Sequence, residues 1–141
     1  MKNATFCIYA VDDDDDDRVL IETALKAYSD CEVTFFSDGE ALLAELSTSP
    51  EDKLPTLILL DLDMPRVNGY EVLESLRTSP TLRSIPVLVL SGTRDEQTVR
   101  KAYELGANAF MSKPNTFLEL NGLLQLTHTY WLKTVHTPKN P

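Results

Sequence analysis

Three carboxylates, one hydroxyl and one ammonium stand out because each directly follows or ends a short apolar run. Asp12 and Asp13 follow FCIYAV, Asp61 follows LILL, Ser91 follows VLVL, and Lys113 with Pro114 follows AFMS. Carboxylates crowded together repel one another unless a hard cation lies among them, and an all-oxygen donor set suits magnesium, which keeps several of its waters. Such a cation leaves coordination positions that face a phosphoryl group. If the run ends meet, Asp61 is a candidate nucleophile, Ser91 a hydrogen-bond donor to one oxygen of the transferred group, and Lys113 a positive charge that neutralises it.

The elements that must bring them together are legible as patterns. Residues 6–11, 33–36, 57–60, 87–90 and 109–111 are short and apolar, which predicts five strands. Between them, 19–28, 40–46, 70–77 and 98–105 repeat apolar residues at three- and four-residue spacing, and 117–133 extends that pattern to a fifth helix. Ser37 with Glu40, Thr93 with Glu96 and Thr116 with Glu119 have capping-box spacing, and Gly106 is placed to end the fourth helix. Near-continuous apolar strands alternating with helices predict an α/β fold, a doubly wound five-stranded parallel sheet with five helices on both faces. Open parallel sheets bind ligands at the carboxyl ends of their strands. That edge is where all five residues are delivered.

Composition narrows the function classes. A chain of 141 residues with 43% hydrophobic content suits one domain with one ordinary core. Acidic residues outnumber basic ones 22 to 13, and the net charge of -9 repels nucleic-acid phosphates and anionic membrane surfaces. Neither direct nucleic-acid binding nor a membrane partner is expected. The N-terminal apolar run is too short to span a bilayer and ends in acid, so a cytoplasmic location is expected. Cys7 and Cys31 lack metal-ligand spacing and read as packing residues in a reducing compartment. His128 and His136 fall late in the chain, and a phosphocarrier histidine is not expected.

Four segments, VDD at 11–13, LLDLDMPRVNGYE at 59–71, LSGT at 90–93 and FMSKP at 110–114, resemble in order the motifs of the receiver domain of bacterial two-component response regulators. The resemblance implies the flavodoxin-like or CheY-like receiver fold over about residues 5–133. It further implies that Asp61 accepts a phosphoryl group from the phosphohistidine of a sensor histidine kinase or phosphotransfer protein, with Ser91 and Lys113 acting on that group. Asp12, Asp13 and Asp61 would bind Mg2+, and Asp63 would lend its backbone carbonyl. Such a protein is a phosphoacceptor in a relay, not an enzyme with an outside substrate. By the same resemblance the Lys113–Pro114 bond is expected to be cis. Phe110 stands where the family often has an aromatic whose burial reports phosphorylation, with Ser91 as its companion in the switch. An aromatic on a last strand is also ordinary core packing, and both readings stay open.

Residues 1–133 are read as the receiver and 134–141 as a short tail, with no output domain expected. The signal would then leave through contacts with a downstream protein target, a homodimer through the fourth helix, fifth strand and final helix being one further form. The final helix with Tyr130, Trp131 and Leu132 is similar to single-domain regulators paired with bacterial phytochrome kinases.

Six consecutive aspartates, residues 12–17, need dividing. Asp12 and Asp13 directly follow the strand, whereas 14–17 fall in the loop and first helical turn as supporting charge, each favouring the helix N-terminus by about 0.3–1 kcal/mol. Gly69 is read as serving a turn after Pro65. Two alternatives remain. LILLDLDMP also resembles the DxD signature of haloacid-dehalogenase-like phosphatases, with Asp61 as nucleophile and Asp63 as general acid, but the motif lies mid-chain and leaves VDD unexplained. A non-phosphorylated pseudo-receiver that only mediates contacts is the other, and the presence of every pocket residue type counts against it.

Overall fold

The computed structural model describes residues 6–64 and 67–138. Strands β1 (Phe6–Val11), β2 (Cys31–Phe36), β3 (Leu57–Leu60), β4 (Val87–Ser91) and β5 (Ala109–Ser112) form one parallel sheet in the order β2-β1-β3-β4-β5. Helices α1 (Asp15–Leu25), α2 (Gly39–Thr48), α3 (Gly69–Thr78), α4 (Glu96–Glu104) and α5 (Phe117–Thr127) alternate with them. The predicted class and element order are those observed.

Side chains alternate across each strand, and the central strands are apolar on both sides. Ile8, Ala10, Leu57, Leu59, Leu88 and Leu90 pack with Ile21, Ala24 and Leu25 of α1 and Leu120 and Leu124 of α5. Tyr9, Val11, Ile58, Leu60, Val87 and Val89 pack with Leu42, Leu46, Val72, Leu73, Leu76 and Ala102 of α2, α3 and α4. Each fully buried aliphatic side chain favours folding by about 1.5–3 kcal/mol relative to exposure. A sheet lined on both faces is thereby fixed in register, with Val11 opposite Phe36 on one side and Leu60 on the other.

Strand order reverses between β1 and β3, because the chain leaves β1 to one side and returns to the other. The ladder continues one residue past the strands: Asp12 N–H donates to the Phe36 carbonyl at 3.1 Å and Asp61 N–H to the Val11 carbonyl at 3.0 Å. Asp12 and Asp61 are thus neighbours at the switch point.

Helix starts differ from expectation at two caps. Asp38 and Asp95, not Ser37 and Thr93, accept from the backbone N–H groups of Ala41 and Thr98. Each aspartate lies immediately before the first helical residue, and its carboxylate reaches the N–H three residues on. Thr93 instead accepts from Asp95 N–H at 3.0 Å. Thr116 caps α5 as expected, and Asn68 with Glu71 forms a complete capping box on α3. The last helix is interrupted: after Thr127 the chain continues as a π turn, His128–Leu132.

Gly106 closes α4 at φ 108°, a conformation that favours glycine. Above it lies Arg77 of α3, whose guanidinium donates to the carbonyls of Gly106, Arg83 and Ile85 and to Asn108 Oδ1, all within 3.0 Å. One side chain therefore ties the end of α3 to the segments that lead into β4 and into β5.

Candidate functional site

Asp14 caps α1, its carboxylate accepting from Asp17 N–H at 3.0 Å, so the acidic run is itself the start of the helix. This places Asp12 and Asp13 on the loop after β1, Asp14 at the cap, and Asp15, Asp16 and Asp17 in the first turn, as expected. Helix α1 accordingly begins four residues before the apolar periodicity at Val19.

Asp12 and Asp61 are buried at 3% and 4% exposure, and Ser91 at the end of β4 is fully buried, whereas Asp13 is exposed. Ligand oxygens of Asp12, Asp13 and Asp61 lie within 4.8 Å of one another. Asp12 Oδ1 accepts from Asp14 N–H at 3.0 Å, and Asp61 Oδ1 accepts from Asp63 N–H at 3.3 Å. Both carboxylates are therefore oriented by their own loops. Lys113 completes the group. Its Nζ lies 2.9 Å from Asp12 Oδ2, 2.8 Å from Asp17 Oδ2 and 3.8 Å from Asp61 Oδ2.

The electrostatics follow from burial. Desolvation pushes the Asp61 carboxyl up to about 7, with the nearby Asp12 charge adding to the rise and Lys113 opposing it. Asp12 is also raised, by burial first, although the Lys113 hydrogen bond pulls the other way. Burial alone would lower Lys113, but its bonds to Asp17 and Asp12 and the charge of Asp61 outweigh that and hold it above its ordinary value. Three carboxylates facing one ammonium leave net negative charge in a desolvated corner.

A hard divalent cation fits that imbalance, because the converging donors are all oxygen and a carboxylate raised by burial marks charge without compensation. The residues that would hold it are those the sequence singled out.

Lys113 reaches this point differently from expectation. Among the described residues no peptide bond is cis, so Lys113–Pro114 is trans. The lysine's backbone N–H donates to the Ser91 carbonyl at 2.7 Å, continuing the β4–β5 ladder, and its side chain spans the remaining distance. The same bond ties Ser91 to Lys113. The Ser91 hydroxyl accepts from Thr93 N–H at 3.4 Å.

Asp17 is more specific than the supporting charge expected of residues 14–17: it is a direct partner of Lys113. The signal was hidden because the two residues are 96 positions apart. Phe110 lies half-buried on β5 against the α2, α3 and α4 side of the core, and its backbone N–H donates to the Tyr103 hydroxyl of α4 at 3.1 Å. Gly69 opens α3 and brings the helix against the Asp61 loop, its N–H donating to the Leu62 carbonyl at 3.1 Å. Pro65, which was to share that turn, lies outside the described residues. His128 sits at the opposite sheet edge, its Nε2 2.9 Å from Asp30 Oδ1. An open groove of about 670 Å³ bordered by Tyr9, Glu45, Lys53 and Thr56 contains none of the site residues.

An open parallel sheet that gathers carboxylates and a lysine at its switch point defines an α/β domain with its site at the carboxyl edge. The chain belongs to the response regulator receiver domain family, whose profile matches residues 8–125. It is 36% identical over 135 residues to response regulator Rcp1 of Synechocystis, covering 93% of this chain and 92% of that protein. The crystal structure of the Mn2+-bound form of Rcp1 superposes with a TM-score of 0.85 at 35% identity, over 94% of this chain and 99% of that one. The structure of the phosphorylated cyanobacterial phytochrome response regulator RcpA gives a TM-score of 0.88 at 34% identity, over 94% and 98% of the two chains. The chain is thus a receiver domain of the two-component signalling type, and the haloacid-dehalogenase-like reading finds no support. Among the described residues no helix is long and apolar enough to cross a membrane.

Proposed function

We propose that Asp61 is the phosphoacceptor of a two-component relay and that this chain signals through protein contacts once phosphorylated. The observation that carries this reading is the placement of a buried carboxylate at the end of β3, 4% exposed, with Asp12 and Asp13 oxygens around it and the Lys113 ammonium 3.8 Å away. An Asp61 oxygen attacks phosphorus and the P–N bond of a phosphohistidine already protonated on its other ring nitrogen breaks; the bonding pair returns to the ring, which leaves as neutral imidazole. Lys113 supplies positive charge to the phosphoryl oxygens, and the Ser91 hydroxyl donates to one of them.

Asp12, Asp13 and Asp61, with the backbone carbonyl of Asp63, would hold Mg2+. When bound, that ion neutralises charge on the transferred group. The donor is a sensor histidine kinase or a phosphotransfer protein, and the chain catalyses only its own phosphorylation and dephosphorylation. Rcp1 and RcpA carry names that place them among response regulators, RcpA with phytochrome, which supports a phytochrome-class kinase as donor. A cytoplasmic location, residues 1–133 as the signalling unit and 134–141 as a tail complete the reading.

Output would pass through the surface of α4, β5 and α5 to a downstream protein or a second copy of the chain. Ser91 and Phe110 lie on the strands that lead there, and we assign them the switch. The test is labelling by acetyl phosphate in magnesium. The parent protein should take up one base-labile phosphate and Asp61→Asn none, with unchanged circular dichroism, because an amide cannot form an acyl phosphate. Stoichiometric labelling of Asp61→Asn would transfer the role to another residue.

A further inference from the structure

We infer that Asp17 is a positioning residue for Lys113: it draws the ammonium toward α1 and so opposes the phosphorylated form of the site. This rests on the reading of Asp61 as phosphoacceptor.

The Lys113 ammonium has three N–H donors. One is directed at Asp12 Oδ2 at 2.9 Å and one at Asp17 Oδ2 at 2.8 Å, and with both bonds made the nitrogen stays 3.8 Å from Asp61, beyond hydrogen-bond distance. Asp12 and Asp61 lie side by side on the sheet, whereas Asp17 stands on the first turn of α1. The two anchors therefore pull in different directions. Asp12 alone would keep the lysine in the pocket beside Asp61; Asp17 adds a bond that a phosphoryl oxygen must compete with, and a negative charge close to where further negative charge arrives.

Asp17 differs from its neighbours in the run. Asp14 uses its carboxylate to cap the helix, Asp15 pairs with Arg18, and Asp16 is exposed. Asp17 also lies outside the set of converging oxygens formed by Asp12, Asp13 and Asp61. Its helix position is fixed, since its own N–H is bonded to the Asp14 cap. A short side chain on a fixed first turn holds Lys113 at a set distance, so the contact ties the β5–α5 connection to the start of α1 in the unphosphorylated form.

Beryllofluoride with magnesium, a stable mimic of the phosphoryl group, reads this directly. Asp17→Asn keeps the side-chain size but turns a charged acceptor into a neutral one. Loss of one charge-assisted bond predicts mimic binding about three- to tenfold tighter. Asp16→Asn makes the same change in net charge one residue away and should shift affinity by less than about twofold, as expected for an exposed charge. Asp17→Glu should restore parental affinity at least in part. The decisive comparison is a double-mutant cycle: in a Lys113→Ala background, Asp17→Asn should no longer tighten the mimic. Magnesium affinity without the mimic should respond to Asp17→Asn no more than to Asp16→Asn.

Equal effects of Asp16→Asn and Asp17→Asn, an effect that persists without Lys113, or weaker mimic binding by Asp17→Asn would each overturn the assignment. A parent protein that takes up neither beryllofluoride nor phosphate would instead overturn the reading of Asp61 and this one with it. Uptake by the parent with no change in Asp17→Asn removes Asp17 alone.

Discussion

Lys113 Nζ lies 2.9 Å from Asp12 Oδ2 and 3.8 Å from Asp61 Oδ2. The lysine is bonded to the flanking carboxylate and stands one short step from the proposed nucleophile. Asp61 Oδ2 thus stays open to a reacting group while positive charge waits beside it. The cost is a desolvated cluster with more negative than positive charge, and the site's dependence on metal and on pH follows from that imbalance.

Millimolar magnesium should stabilise the parent protein by about 1–3 kcal/mol through simple binding linkage, read as a rise in melting temperature. Asp13→Ala should lose most of the response, since this exposed carboxylate supplies one of the three converging ligand oxygens. Asp12→Ala should lose a good part, and Asp16→Ser almost none. Equal responses from all three variants would mean that the acidic run binds the ion diffusely.

The Asp61 carboxyl is held near 7 in the folded protein, above its ordinary 3.8. A carboxyl raised on folding binds its proton more tightly in the native state. Its contribution to stability is full below about pH 4 and is lost as pH rises through 7. In chelator, the stability of the parent relative to Asp61→Asn should therefore fall by about 1–3 kcal/mol between pH 5 and pH 8, at about 1.4 kcal/mol per unit. Urea titrations at the two pH values check this, and parallel curves would remove the claim that Asp61 ionises against burial.

Much of this was legible in the sequence, for a physical reason. Strands β1 and β3 are legible to the residue because their apolar runs end abruptly in a carboxylate, at Asp12 and at Asp61. The caps at Asp38 and Asp95 were misplaced because Ser37 and Thr93 have equally competent oxygens nearby, and only backbone conformation decides between them. The apolar repeat of α1 is legible only from Val19, and its first turn is marked instead by the aspartate run. The Asp17–Lys113 contact is set by the packing of α1 beside the β5–α5 connection, which no local pattern encodes.

Ser91 is fully buried, and its hydroxyl accepts one long bond from Thr93 N–H at 3.4 Å. Removing that hydroxyl should cost little stability, about 1 kcal/mol or less. A ligand shifts a two-state equilibrium only through different affinities for the two states, and a Ser91 bond made solely to the phosphorylated site would supply such a difference. Ser91→Ala should still take up phosphate, yet show a weaker change in self-association or partner affinity with beryllofluoride. Sedimentation with and without the mimic measures it. A full response in Ser91→Ala would exclude the hydroxyl as the coupling element and leave Phe110 as a core residue.

Gly69 links the fold to the site. A Cβ at this position would lie 2.5 Å from Leu62 Cα and 2.7 Å from the Asp61 carbonyl oxygen, both backbone atoms that cannot rotate away. The α3 terminus approaches the Asp61 loop as closely as it does because glycine has no side chain there. Gly69→Ala must push the loop and the helix apart, with a cost of about 1–3 kcal/mol expected for forced overpacking. The displaced loop carries Asp61 and the Asp63 N–H that orients it, so phosphate uptake from acetyl phosphate should slow as well. Gly122 of α5 provides the contrast, since a Cβ there meets nothing within 4 Å. Gly122→Ala should be neutral or stabilising by about 0.5–1 kcal/mol, because alanine is the better helix former. Thermal unfolding and labelling rates of the two variants separate close approach from a general sensitivity to lost glycine. If Gly69→Ala melts and labels like the parent, the α3 terminus does not position the nucleophile.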